Sequence, residues 1–307
     1  MVDHLSFENL VRTIQEADAE KTIVIAHATD ISLYYAAKKA MDQRLASFIF
    51  TGPGEKMDVL MKEAELSSEY EEKITFVETH DVQESAEKAV QLIHEGRAHV
   101  LMKGMLSTSV LLKAVLNKQT GLRTGKILSH VAGFSLPERE KLLFITDAAM
   151  NIKPDLNEKA QIIQNTVEAL KGIGVFEPKV AAIAAVETVN PVMEATLDAA
   201  ALTQMNRRGQ ITDCIVDGPL GFDNAVSIEA ADQKGIKSDV AGRADVILVP
   251  QIETGNVLYK SLTYFGSATV GGIIVGAKVP VILTSRSDSV KSKLFSIAMG
   301  VGSSSIV

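Results

Sequence analysis

Four stretches of the chain gather side chains able to hold an anion. Residues 284–289 read Thr284-Ser285-Arg286-Ser287-Asp288-Ser289, one guanidinium among four hydroxyls. An arginine grips phosphate oxygens as a fork, and hydroxyls with free helix amides complete the shell. Residues 103–109 read Lys103-Gly104-Met105-Leu106-Ser107-Thr108-Ser109, with Lys113 one turn further on. That is a cation, a glycine and three hydroxyls in one loop, although Ser107 or Thr108 could equally serve as a helix cap. Residues 250–256 end in Gly255-Asn256 at an expected helix start, with Lys260 beyond. Residues 217–224, Asp217-Gly218-Pro219-Leu220-Gly221-Phe222-Asp223-Asn224, read more simply as a turn.

Other chemistries are poorly supplied. The chain lacks the Gly-x-x-x-x-Gly-Lys-Ser/Thr loop of a P-loop ATPase, and Gly52-Pro53-Gly54 is too short for a dinucleotide fingerprint. No Cys/His set has zinc spacing, so no metal is expected. His27, His99 and His130 lie beside apolar runs and read as partly buried packing residues. The single cysteine, Cys214, falls in an expected strand and reads as a small core residue; it permits no internal disulfide.

The elements that must position these loops are legible as short β-branched runs at 22–26, 47–50, 74–77, 99–102, 141–145, 179–185, 213–216, 245–249 and 279–283. Several are apolar throughout, as strands buried on both faces of a parallel sheet are. Helical periodicity fills many gaps: Ala86, Ala89, Val90 and Ile93 make one stripe, and Leu294, Ile297, Ala298 and Val301 another. Alternating strands and helices give an α/β fold, in which ligands sit beyond the carboxyl ends of the strands.

With 307 residues, nearly half apolar, two lobes are expected. A net charge of −7 and the absence of tryptophan speak against nucleic acid as a partner. The longest apolar stretch, 268–283, is interrupted by Lys278 and Pro280, so no membrane span is expected. The polar, acidic start is unlike a signal peptide, and the expectation is a soluble, cytoplasmic chain.

Several segments together resemble the phosphate acetyl/butyryltransferase family. They are Val216 to Asp223 (Val-Asp-Gly-Pro-Leu-Gly-Phe-Asp), Val240-Ala-Gly-Arg-Ala-Asp-Val246, Gly255-Asn-Val-Leu-Tyr-Lys260, and Lys278 to Asp288 (Lys-Val-Pro-Val-Ile-Leu-Thr-Ser-Arg-Ser-Asp). The Lys103 to Thr108 loop and Asn151-Ile-Lys-Pro-Asp155 join them, in family order and over nearly the whole chain. The acetyl enzymes have a glycine- and serine-rich stretch where this chain reads Val186-Glu-Thr-Val-Asn-Pro-Val-Met193, and Ser-Arg-Gly-Cys where it reads Ser285-Arg-Ser-Asp288. Both departures are similar to the butyryl branch.

The resemblance implies a two-lobed fold like that of isocitrate and isopropylmalate dehydrogenases, with mostly parallel sheets and an active site in the interlobe cleft. The first lobe is expected to span 1–121 plus 276–307 and the second 122–275. The implied reaction is reversible transfer of a short acyl group, butyryl or similar, between coenzyme A and inorganic phosphate. Coenzyme A is then a substrate, no cofactor is bound, and a homo-oligomer is expected. Arg286 matches the family arginine that holds phosphate or acyl phosphate, and Ser285 the serine beside the developing oxyanion. Lys113 stands where the acetyl branch has an arginine; Lys103, Ser107, Thr108, Asn256 and Lys260 are further substrate contacts. The acetyl-branch aspartate proposed to take the thiol proton is replaced by Ser292, so either Asp288 substitutes or the thiol needs no strong base. Alternatives are a phosphate acetyltransferase, a dehydrogenase on the same fold, and a non-catalytic coenzyme A-binding module.

Overall fold

The computed structural model describes residues 5–17, 20–66, 68–285 and 288–304. Its strands, in chain order, are β1 (Thr22–Ala26), β2 (Ser47–Gly52), β3 (Ile74–Glu78), β4 (Val100–Lys103), β5 (Ser129–Ser135), β6 (Leu143–Thr146), β7 (Lys179–Ile183), β8 (Ile215–Leu220), β9 (Val246–Leu248), β10 (Thr269–Val275) and β11 (Val281–Ile282). The α-helices are α1 (Phe7–Glu16), α2 (Ile31–Asp42), α3 (Gly54–Glu63), α4 (Val82–His94), α5 (Thr108–Val115), α6 (Leu156–Gly172), α7 (Glu194–Arg207), α8 (Phe222–Val226), α9 (Ile228–Gln233), α10 (Ile252–Tyr264) and α11 (Val290–Ser303). Every strand expected from the sequence is present, β1 with the expected bounds and the others with shifted ends. β5 and β10 were not expected: β5 is broken up by His130 and Gly133, and β10 by Gly271-Gly272.

The chain divides into two compact units: Phe7–Lys126 with Val270–Val307, and Ile127–Thr269 with the segment that precedes Phe7. In the first unit the strand order is β3-β2-β1-β4-β11-β10. Neighbours from β3 to β11 run parallel, and β10 pairs with β11 antiparallel, Ile273 opposite Ile282. Ile23, Val24, Ile25, Phe50, Leu101 and Met102 are all at most 4 % exposed, because helices cover both sheet faces. Burying each such side chain contributes roughly 1.5–3 kcal/mol. The order reverses at β1, which has β2 on one side and β4 on the other. β1 and β4 are therefore the switch point of this unit, and in such sheets ligands usually sit beyond the carboxyl ends of the strands there.

The second unit repeats the scheme with order β5-β6-β9-β7-β8. β5 and β6 are antiparallel and the remaining neighbours parallel. The sequence assigns Asp217-Gly218-Pro219-Leu220 to a loop, whereas β8 continues through them. Proline is tolerated there because β8 is the edge strand, where a missing N–H breaks no ladder on the open side. Gly218 is required: a Cβ would lie 2.5 Å from Ala182 O on β7.

Caps fix where the helices begin. Asp81 accepts from Gln83 N and Glu84 N at 2.8 Å, and Asp155 with Glu158 forms a reciprocal capping box on α6. Asn151 Nδ2 donates to Leu128 O and Asp147 Oδ2, so Asn151 and Asp155, which helped carry the resemblance, serve the scaffold.

Candidate active site

In the first unit the loop after β4 is tied to the end of β1 by backbone hydrogen bonds. Gly104, just after β4, donates its N–H to Ala26 O at 2.9 Å, and Met105 N–H donates to His27 O at 2.8 Å. A Cβ on Gly104 would lie 2.4 Å from both carbonyl oxygens, so only glycine lets the β4 loop press against the end of β1. Lys103 Nζ then reaches Gly104 O and Leu106 O at 3.2 and 3.3 Å.

Ser107 is the N-cap of α5, accepting from Val110 N at 3.2 Å, with its Oγ 2.8 Å from Ser109 Oγ. Capping does not remove it from substrate chemistry, because Ser107, Thr108 and Ser109 are all exposed at a helix N-terminus. Lys113 is also exposed, on the second turn of α5.

The other wall is the loop after β11. Thr284 is buried and Ser285 exposed; Arg286 and Ser287 lie outside the described residues. Asp288 Oδ2 accepts from Ser285 N–H at 2.7 Å, and Asp288 N–H donates back to Ser285 O at 3.2 Å. Asp288 thus closes the loop that presents Ser285. Ser289 caps α11 by accepting from Ser292 N at 3.1 Å. Ser292, in place of an acetyl-branch aspartate, also touches Ser289 Oγ at 3.2 Å and is buried. The two walls meet in a small pocket lined by Lys103, Gly104, Thr284, Ser285, Lys293 and the start of α2 from Asp30.

In the second unit, Asn256 and Lys260 sit one turn apart on α10, both exposed. Lys260 Nζ stands 5.5 Å from the Tyr259 ring centre. Gly255 alone of this helix is buried, and a Cβ would lie 2.8 Å from Ala148 Cα and 2.9 Å from Asp147 O. Its role is close approach of helix to backbone. Asp147 is gathered tightly: it accepts from the N–H groups of His130, Ala149 and Met150 and from Asn151 Nδ2 at 2.7–3.1 Å.

His27, His99 and His130 are packing residues. Burial holds His27, His99 and His130 below the ordinary imidazole range; Lys56 and Lys21 add to the effect at His27 and His99, while Asp147 opposes it at His130. Burial first, with Asp213 and Glu177, pushes the Cys214 thiol up to about 12, so it is no nucleophile. Cys214 sits just before β8 rather than within it. Among the described residues no group of three or more His, Cys, Asp or Glu is placed to hold a metal ion, and no helix is long and apolar enough to cross a membrane.

Sequence reasoning missed Lys293. It falls beside Leu294 and four before Ile297 in a helix whose residues from Ser292 onward are all buried. That all-round apolar pattern is the signal that would have found it.

A family model described as phosphate acetyl/butaryl transferase matches residues 6–301. A probable phosphate butyryltransferase of Bacillus subtilis is 53 % identical over 281 residues, 92 % of each chain. The phosphate butyryltransferase of Clostridium acetobutylicum is 44 % identical over 96 % of each chain. Among solved structures, a branched-chain phosphotransacylase from Enterococcus faecalis matches with TM-score 0.82 at 36 % identity, over 93 % of this chain and 99 % of that one. A 4-hydroxythreonine-4-phosphate dehydrogenase from Klebsiella pneumoniae matches at TM-score 0.55 and 12 % identity, over 92 % of this chain and 100 % of that one, a likeness of fold alone. The chain belongs to the phosphate acetyl/butyryltransferase family and is an acyltransferase on a dehydrogenase-like α/β fold.

Proposed function

We propose that the protein transfers a short acyl group, butyryl or a close analogue, reversibly between coenzyme A and inorganic phosphate. The observation that carries this reading is the pocket of the first unit, where Ser285, in the loop after β11, faces the same small space as Lys103 at the carboxyl end of β4. A hydroxyl and a cation there suit an acyl phosphate: one group for the carbonyl oxygen, one for the phosphoryl charge. Arg286, next in sequence to Ser285, takes phosphate as a fork. Ser107, Thr108 and Lys113 on α5, and Asn256 and Lys260 on α10, are further substrate contacts.

In the acyl phosphate direction the sulfur of coenzyme A attacks the carbonyl carbon and forms the C–S bond. The carbonyl electrons move to oxygen, where the Ser285 hydroxyl donates to the growing charge. Collapse of that oxyanion breaks the C–O bond to phosphorus and releases phosphate. Holding both substrates together supplies much of the acceleration. The thiol, with an ordinary pKa near ~8.5, is already partly ionised at neutral pH. Asp288 has one carboxylate oxygen engaged by Ser285 N–H, which supports a positioning role with the thiol ionising by itself.

The test is substitution at the pair. Ser285→Ala should lower kcat by about 10²- to 10³-fold, the usual cost of one oxyanion donor. Arg286→Gln should act mainly on the KM for phosphate. Full activity in Ser285→Ala would remove the reading of this loop.

A further inference from the structure

Two lysines of the described chain are buried, and they are partnered differently. Lys159, 4 % exposed, places Nζ 2.5 Å from Asp198 Oδ2. Lys293, 2 % exposed, is given no carboxylate within 4 Å among the described residues. Its Nζ donates to Asp288 O at 2.6 Å and, at longer range, to Ser285 O at 3.4 Å. Two carbonyl dipoles are a thin shell for a buried ammonium, which has three N–H groups and a full charge. The residue also stands one turn into α11, near the positive end of the helix dipole, where a cation is disfavoured.

A cation in such a place is completed by an anion that arrives. Lys293 lines the same pocket as Lys103, Thr284 and Ser285. The one carboxylate of that lining, Asp30, caps α2 through the N–H and hydroxyl of Ser32. The pocket is thus lined by the Lys293 ammonium with no carboxylate of the lining turned to it. We propose that Lys293 is an anion contact: its ammonium holds a phosphoryl oxygen of phosphate or acyl phosphate while its carbonyl partners keep the Ser285 loop in place. This rests on the phosphate-transfer reading above and adds to it a residue that the loop motif does not contain.

Lys293→Gln separates the two duties, because the amide still offers an N–H to Asp288 O but carries no charge. Lys293→Arg keeps the charge. With purified full-length protein and acyl-CoA thiol release as the readout, Lys293→Gln should raise the KM for phosphate by about 10- to 100-fold, the range for losing a charged hydrogen bond. The KM for acyl-CoA should stay within about twofold, and Lys293→Arg should recover part of the loss. An unchanged phosphate KM in Lys293→Gln, or a fall in kcat alone, would overturn the proposal and leave the lysine as a brace for the loop. Should the amide fail to fold, Lys293→Met read against Lys293→Arg isolates the charge through the phosphate-induced melting shift described next.

A second readout stands apart from turnover. Inorganic phosphate should raise the melting temperature of the wild type and of Lys293→Arg, and do so far less for Lys293→Gln. If the wild type releases no thiol, the phosphate-transfer reading falls, and this melting comparison still decides the anion contact. An equal shift in wild type and Lys293→Gln would sink it.

Discussion

At the scale of single residues, two side chains brace Ser285 in the loop after β11. Asp288 ties its carboxylate to Ser285 N–H, and Lys293 ties its ammonium to the carbonyls of Ser285 and Asp288. Ser285 is held by both neighbours while its side chain remains exposed. Asp288→Asn should therefore lower activity modestly and leave the rise of rate with pH, through the thiol range, in place; a steady-state pH profile checks this. Loss of activity together with loss of that pH dependence would make Asp288 the base. Ser285, Arg286 and Asp288 stand out in the sequence because a guanidinium among hydroxyls is an unusual composition. Lys293 does not, since a lysine two residues from another lysine, Lys291, looks like solvated helix surface until the burial of α11 is known.

At the scale of elements, two contacts join β4 to β1 at its two ends. The first is Gly104 against the end of β1, where an added Cβ has no space beside two carbonyl oxygens. Gly104→Ala should cost about 1–3 kcal/mol of stability, the range for overpacking, and should displace Lys103. Thermal melting and activity together check this, and an unperturbed melting temperature would show that the loop can yield. The second is His99, whose Nδ1 accepts from Thr22 N–H at 3.0 Å across β1 and β4. Its imidazole is held below the usual 6.5 by burial and then by Lys21. The unfolded chain therefore binds the proton first as pH falls, so the stability is full above about 6.5 and lost as pH drops through the folded value. His99→Gln should flatten the decline of melting temperature between pH 7 and pH 5, and an unchanged slope would contradict it. Strand periodicity gave β1, β4 and β11 nearly in full. It could not show that Asp217 to Leu220 extend β8, because Gly-Pro is a turn signal everywhere except at a sheet edge.

At the scale of the whole molecule, the net charge of −7 offers no general attraction to phosphate or coenzyme A. Anion binding is left to local cations and helix N-termini, and the first unit gathers these at the carboxyl ends of its parallel strands. The α/β class was legible from alternating apolar runs and helical stripes. The grouping of Val270 and beyond with Phe7–Lys126 was not legible from periodicity, because it depends on which strand β11 chooses as its neighbour. Acyl length is the least legible property of all. One methylene discriminates by only ~1–3 kcal/mol and leaves no motif.

The most direct test of the central claim is thiol release on mixing purified protein with butyryl coenzyme A and phosphate, with acetyl coenzyme A alongside. Release should require phosphate and show the higher kcat/KM for butyryl. No release with either substrate from folded protein would contradict it, while faster release with acetyl would keep the reaction and overturn the acyl preference.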